Sequence, residues 1–70
     1  MQFNWHNPKD RCFVCNNGAA QVEAQSDGRY LATIYHNGSK FSELAFSDLE
    51  MAKEGVEIQL EKLKFDRITN

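Results

Sequence analysis

Cys12 and Cys15, in the stretch CFVCNNG, are the residues with the clearest claim to chemistry. A C-x2-C spacing lets two thiolates reach one zinc ion from a tight knuckle, but tetrahedral zinc needs four ligands. The remaining two can only come from His6, His36 or a carboxylate such as Asp10. The competing reading is a β-strand, in which side chains three positions apart point to opposite faces and cannot chelate together. The apolar Phe13 and Val14 between the cysteines, and the turn-forming NNG after them, favour the strand. A redox role has less support, because no helix follows to lower a thiolate pKa.

His6 and His36 have no Ser, Asp or Cys partner at a recognisable catalytic spacing. There is no phosphate-binding glycine loop, dinucleotide fingerprint or paired-carboxylate motif. The expectation is therefore a protein that is not an enzyme and carries no cofactor, with zinc on Cys12, Cys15, His6 and His36 as the alternative.

The elements that position these residues are marked by three turn signals: NNG at 16–18, SDG at 26–28 and HNG at 36–38. Asn-Gly and Asp-Gly suit the tight turns that match strand twist, because those turns need positive φ. Between them lie strand-like segments near 11–15, 19–25, 30–36 and 40–45, with Val22, Thr33, Ile34, Tyr35 and Phe41 as β-formers. A helix is expected from about 48 to 64, with Ser47 or Asp48 capping the free backbone N–H groups of its first turn. Strands first and one helix last imply an α+β domain, an antiparallel meander of three or four strands packed against one C-terminal helix.

At about 100° per residue the helix separates three stripes. Leu49, Ala52, Val56, Leu60 and Leu63 make the apolar stripe expected to pack on the sheet. Glu50, Glu54, Glu57 and Glu61 make an acidic one, in which Lys53 can pair with Glu57 at i, i+4. Met51, Ile58 and Phe65 form a second apolar line nearly opposite the first, with Gly55 beside Met51. A helix that merely rests on a sheet has no use for that second line. It is either covered by an N-terminal segment carrying Phe3 and Trp5 or used as an intermolecular surface. Mid-helix glycine costs about 1 kcal/mol relative to alanine, which close approach by another backbone ordinarily compensates.

The chain has 70 residues, 41% of them hydrophobic and 26% charged, a globular composition at a length where stability is marginal. Eight Lys and Arg stand against ten Asp and Glu, for a net charge of -2. That balance lacks the basic excess phosphate neutralisation demands, so nucleic acid is the less favoured partner. No apolar run reaches the roughly 18 residues of a membrane span, and MQFNWHNPKD has neither region of a signal peptide. The expected location is cytoplasmic, with both cysteines reduced or metal-bound.

The run GRYLATIYHNGSKFSELAFSDLEMAKEGVEIQLEKL, residues 28–63, places an aromatic after Gly, an Asn-Gly hairpin, and Phe-Ser-x-Leu-Glu-x-Ala opening a helix. It resembles the second half of integrase amino-terminal arm-binding domains and of ethylene-response-type DNA-binding domains. Those families read DNA from the sheet with Arg and Trp, where this chain carries Thr33, Tyr35, His36 and Ser42. The layout also resembles short accessory proteins of phages and mobile elements, including anti-CRISPR and other anti-defence inhibitors. That resemblance implies a protein that occupies a surface on a host complex without chemistry.

The combined expectation is a non-catalytic protein-binding module acting in the host cytoplasm. Its contact residues are Glu50, Met51, Glu54, Gly55, Glu57, Ile58, Glu61 and Phe65, and its partner is a host protein or a second copy in a dimer. The alternative is a small nucleic-acid-binding domain that uses the sheet face, where Tyr30, Tyr35 and Phe41 could stack bases, braced by zinc at Cys12 and Cys15.

Overall fold

The computed structural model describes residues 3–69, with side-chain surroundings described for 3–63. Five strands precede one helix: β1 Trp5–Lys9, β2 Cys12–Cys15, β3 Ala20–Ala24, β4 Tyr30–His36, β5 Ser39–Phe46 and α1 Leu49–Thr69. The strands form one antiparallel sheet in chain order, β1-β2-β3-β4-β5. The α+β meander with a C-terminal helix is as expected, with one strand more than the sequence signalled.

The extra strand is β1, whose sequence WHNPK is poor in β-formers. It is held by contacts that propensity does not register. Asn16 accepts from the Asn4 amide on its side-chain oxygen at 2.8 Å and donates its own backbone N–H to the Asn4 carbonyl at 2.8 Å. At the other end Asn7 donates its side-chain amide to the carbonyls of Lys9 and Cys12. Its register slips between His6 and Lys9, and Pro8 lies in the slip. An edge strand tolerates proline because its outward N–H has no ladder to serve.

The turns form where expected. Asn16, Asn17 and Gly18 all have positive φ, and Asn37 and Gly38 sit at φ 54° and 79°. A fourth turn joins β1 to β2 and puts Arg11 at φ 63°, a conformation most side chains avoid. Arg11 is anchored there by donating from its guanidinium to the Gln25 carbonyl at 3.0 Å, which ties two hairpin ends together.

Asp48 caps the helix, accepting from the Met51 amide at 3.1 Å. The helix continues to Thr69, past the expected end near 64. Register sets which strand residues face it: Phe13 and Cys15, Ala20 and Val22, Ala32 and Ile34, Leu44 and Phe46 share one face. Against them lie Ala52, Val56 and Leu60, all buried, with Leu49 and Leu63 at the ends of the stripe. The first apolar stripe therefore does what its spacing predicts.

Gly55 has a different neighbour from the backbone expected. A Cβ added there would lie 2.7 Å from Cζ and 3.2 Å from Cε2 of Phe46, so the missing side chain makes room for an aromatic ring. Gly55→Ala should lower stability by about 1 kcal/mol despite alanine's better helix propensity, since the ring must leave its place in the core. A double-mutant cycle with Phe46→Leu in urea denaturation should recover most of that loss.

Candidate functional site

The helix is flanked on its two sides by different chemistry. On the side of β1 and β2, Trp5 donates its indole N–H to a Glu57 carboxylate oxygen at 2.8 Å. Lys53, expected to pair with Glu57, instead stands 5.4 Å from the Trp5 ring centre and 5.2 Å from that of Phe13. An ammonium over aromatic faces is attracted by their quadrupoles and covers them with its alkyl stem. Glu57 and Lys53 therefore close this flank, and the acidic stripe is not uniform. Glu50 and Glu54 are exposed, while Glu57 and Glu61 are half-buried.

Phe3 and Trp5 pack against the core cluster and do not cover the second apolar line. Met51 and Ile58 remain 55% and 51% exposed. Phe65, the third member of that line, lies outside the residues whose side chains are described. On the β5 side, Leu44 is 59% exposed although its register places it on the helix-facing side of the sheet. Leu44, Phe46, Gly55 and Ile58 line an open cleft of about 170 Å³ between β5 and α1, with Ala32 and Ile34 at its floor.

Leu44 was not singled out by sequence reasoning, and the reason is physical. Alternation in SELAF assigns it to the core face, but nothing in alternation tells that the helix, which meets Phe46 of β5, leaves Leu44 uncovered. Phe41 is likewise 53% exposed; it falls where the register slips between Ile34 and Tyr35, and meets His36 edge-on at 6.0 Å.

The cysteines occupy a regular strand. Cys15 pairs across β3 with Ala20 and belongs to the core under the helix, whereas Cys12 pairs with Glu23 on the opposite face. Both are free thiols and both are buried. Among the described residues no three His, Cys, Asp or Glu side chains converge as metal ligands would. Of the metal alternative, His6 stands beside Val14 across β1 and β2, and His36 lies at the far end of β4. A larger hollow of about 290 Å³, lined in part by Arg11, Phe13, Arg29 and Tyr30, has both arginines engaged, Arg11 with Gln25 and Arg29 with Asp27 at 3.8 Å.

No helix among the described residues is long and apolar enough to cross a membrane. No family model matches the sequence, and neither a curated protein nor a solved structure matches the chain.

Burial, with the Glu57 carboxylate as a second cause, pushes the Cys15 thiol from 9.0 up to about 11. Above the lower value the unfolded chain gives up this proton while the folded chain keeps it, so ionisation favours unfolding. Urea midpoints should therefore hold steady below about pH 9 and fall towards about pH 11. The fall should be smaller in Cys15→Ala, and in Glu57→Gln it should begin at the same pH but end at a lower one, and so be smaller than in wild type. An equal fall in wild type and Cys15→Ala would assign it to other groups. Separately, Trp5→Phe deprives Glu57 of its donor and should cost about 1 to 2 kcal/mol in the same assay.

Proposed function

We propose that this protein is a non-catalytic protein-binding module, of the small accessory or inhibitor kind that phages and mobile elements make. It acts in the host cytoplasm by occupying a surface on a host protein complex or on a second copy of itself. The observation that carries the reading is the exposure of Ile58 and Leu44, which face each other across the cleft between α1 and β5, with the exposed Met51 two turns earlier on the outer side of α1. Singly exposed apolar residues are ordinary, but two that line one cleft, extended along the helix by a third, mark a contact surface. The exposed Glu50 and Glu54 border the same side of the helix, where they favour encounter with a basic rim on the partner.

Ile58→Glu tests this reading. Ile58 is half exposed, so the variant should melt within a few degrees of wild type, as surface substitutions do. Immobilised wild-type protein should retain a stoichiometric partner that Ile58→Glu loses. Unfolding of the variant would make Ile58 part of the core, and retention of the same partner by both proteins would place the contact elsewhere.

A further inference from the structure

The two edges of the sheet are built differently. The β1 edge is five residues long, carries Pro8 and slips in register, devices that stop a further strand from adding. The β5 edge is eight residues long, has no proline, and is regular from Ser42 to Phe46. Beside it lies the cleft, with Leu44 at its mouth and Ile58 on its far wall. β5 carries Lys40 and slips in register at Phe41, so its open stretch is Ser42 to Phe46, and that stretch is the one beside apolar surface.

From this we infer that β5 is the docking edge for a second copy of the chain, which adds its own β5 antiparallel about a two-fold axis through Leu44. The inference rests on the protein-binding reading and names its partner. In that register Leu44 meets Leu44 of the partner subunit, so each closes the mouth of the other's cleft. Ser42 lies opposite Phe46 of the partner subunit, and Glu43 opposite Ala45 of the partner subunit. Leu44, Ser42 and Phe46 thus meet helix-facing residues, while Glu43 and Ala45 meet on the opposite face, because strand pairing preserves the face.

Charge argues for a copy in particular. A two-fold axis brings like residues together, so an edge bearing unbalanced charge repels its own copy. On β5 the two charged residues neutralise each other, with the Lys40 ammonium 3.5 Å from the Glu43 carboxylate. Neither comes opposite itself when the axis passes through Leu44. Glu57 of the acidic stripe is turned to Trp5 on the other flank, and the helix residues lining the cleft, Gly55, Val56, Ile58 and Gln59, carry no charge. The surfaces that meet are thus neutral and apolar, joined by the backbone groups of two open strands.

Sedimentation equilibrium on the wild type, over a concentration series, should show reversible dimers. Backbone amide exchange in residues 39–46 should slow as the dimer fills. Leu44→Lys and Leu44→Glu each put like charges on the axis and should be monomeric, and an equimolar mixture of the two should restore a dimer mass. Leu44 is more than half exposed, so both variants should keep the wild-type circular dichroism. A wild type that stays monomeric throughout, with concentration-independent exchange, overturns the inference. So do a dimer that both Leu44 variants leave intact and variants that fail to recombine on mixing. A monomeric wild type bears only on the second copy, since loss of a foreign partner in Ile58→Glu would still uphold the protein-binding reading.

Discussion

One helix has to cover a five-stranded sheet, and it is too narrow to do so. Strands are spaced about 4.8 Å apart, so five of them span about 19 Å, whereas a helix with its side chains is about 10 to 12 Å across. The helix lies over the middle and the β5 side of the sheet, and Ala52, Val56 and Leu60 are buried there against Val22, Ala32 and Ile34. Whatever the helix does not reach must be closed by side chains leaning in from the margins or be left open. Both solutions are present, one on each flank.

The small residues at the centre follow from the same shortage. Ala20, Ala32 and Ala52 are buried where helix meets sheet, and they let the two layers approach closely. Close approach makes the most of a single helix, because each apolar side chain then touches both layers. It also leaves no space for a side chain at position 55 next to the Phe46 ring, which explains a glycine in mid-helix that propensity alone would disfavour. On the opposite flank there is more distance to bridge, and larger groups bridge it. Trp5 and Phe13 lie under the Lys53 ammonium, and Trp5 is tied to Glu57 by its indole N–H.

The order of elements was legible in the sequence because it depends on local chemistry. Asn37 and Gly38 adopt positive φ as the HNG turn requires, and the stripe from Leu49 to Leu63 packs as its spacing demands. What could not be read was set by contacts between distant residues. The β1 strand depends on Asn16 reaching back to Asn4, and WHNPK on its own has no strand signature. The roles of Glu57 and Lys53 depend on Trp5, some fifty residues away, whereas helical spacing offered only a pairing of the two with each other. Half of the candidate surface, Met51 and Ile58, was visible as a helical line, and the half on β5 was not. Leu44 alternates like a core residue and is exposed only because the helix ends its cover before reaching it.

The asymmetry of the two flanks constrains how any contact can be made. Where Lys53 and Glu57 close the β1 side, their charges are already directed at groups within the chain, so a partner binding there would have to displace them and leave the Trp5 N–H unpaired. Leaving such a group buried without a partner costs about 1 to 3 kcal/mol. On the β5 side nothing has to be displaced. The cleft is open, its lining is apolar apart from Ser42 and Gln59, and the strand beside it presents backbone groups that no neighbouring strand among the described residues takes up. Association there adds buried apolar area at about 25 cal/mol per Å² with no internal bond to break. A helix too narrow for its sheet thus decides both where the domain is closed and where it is left able to bind.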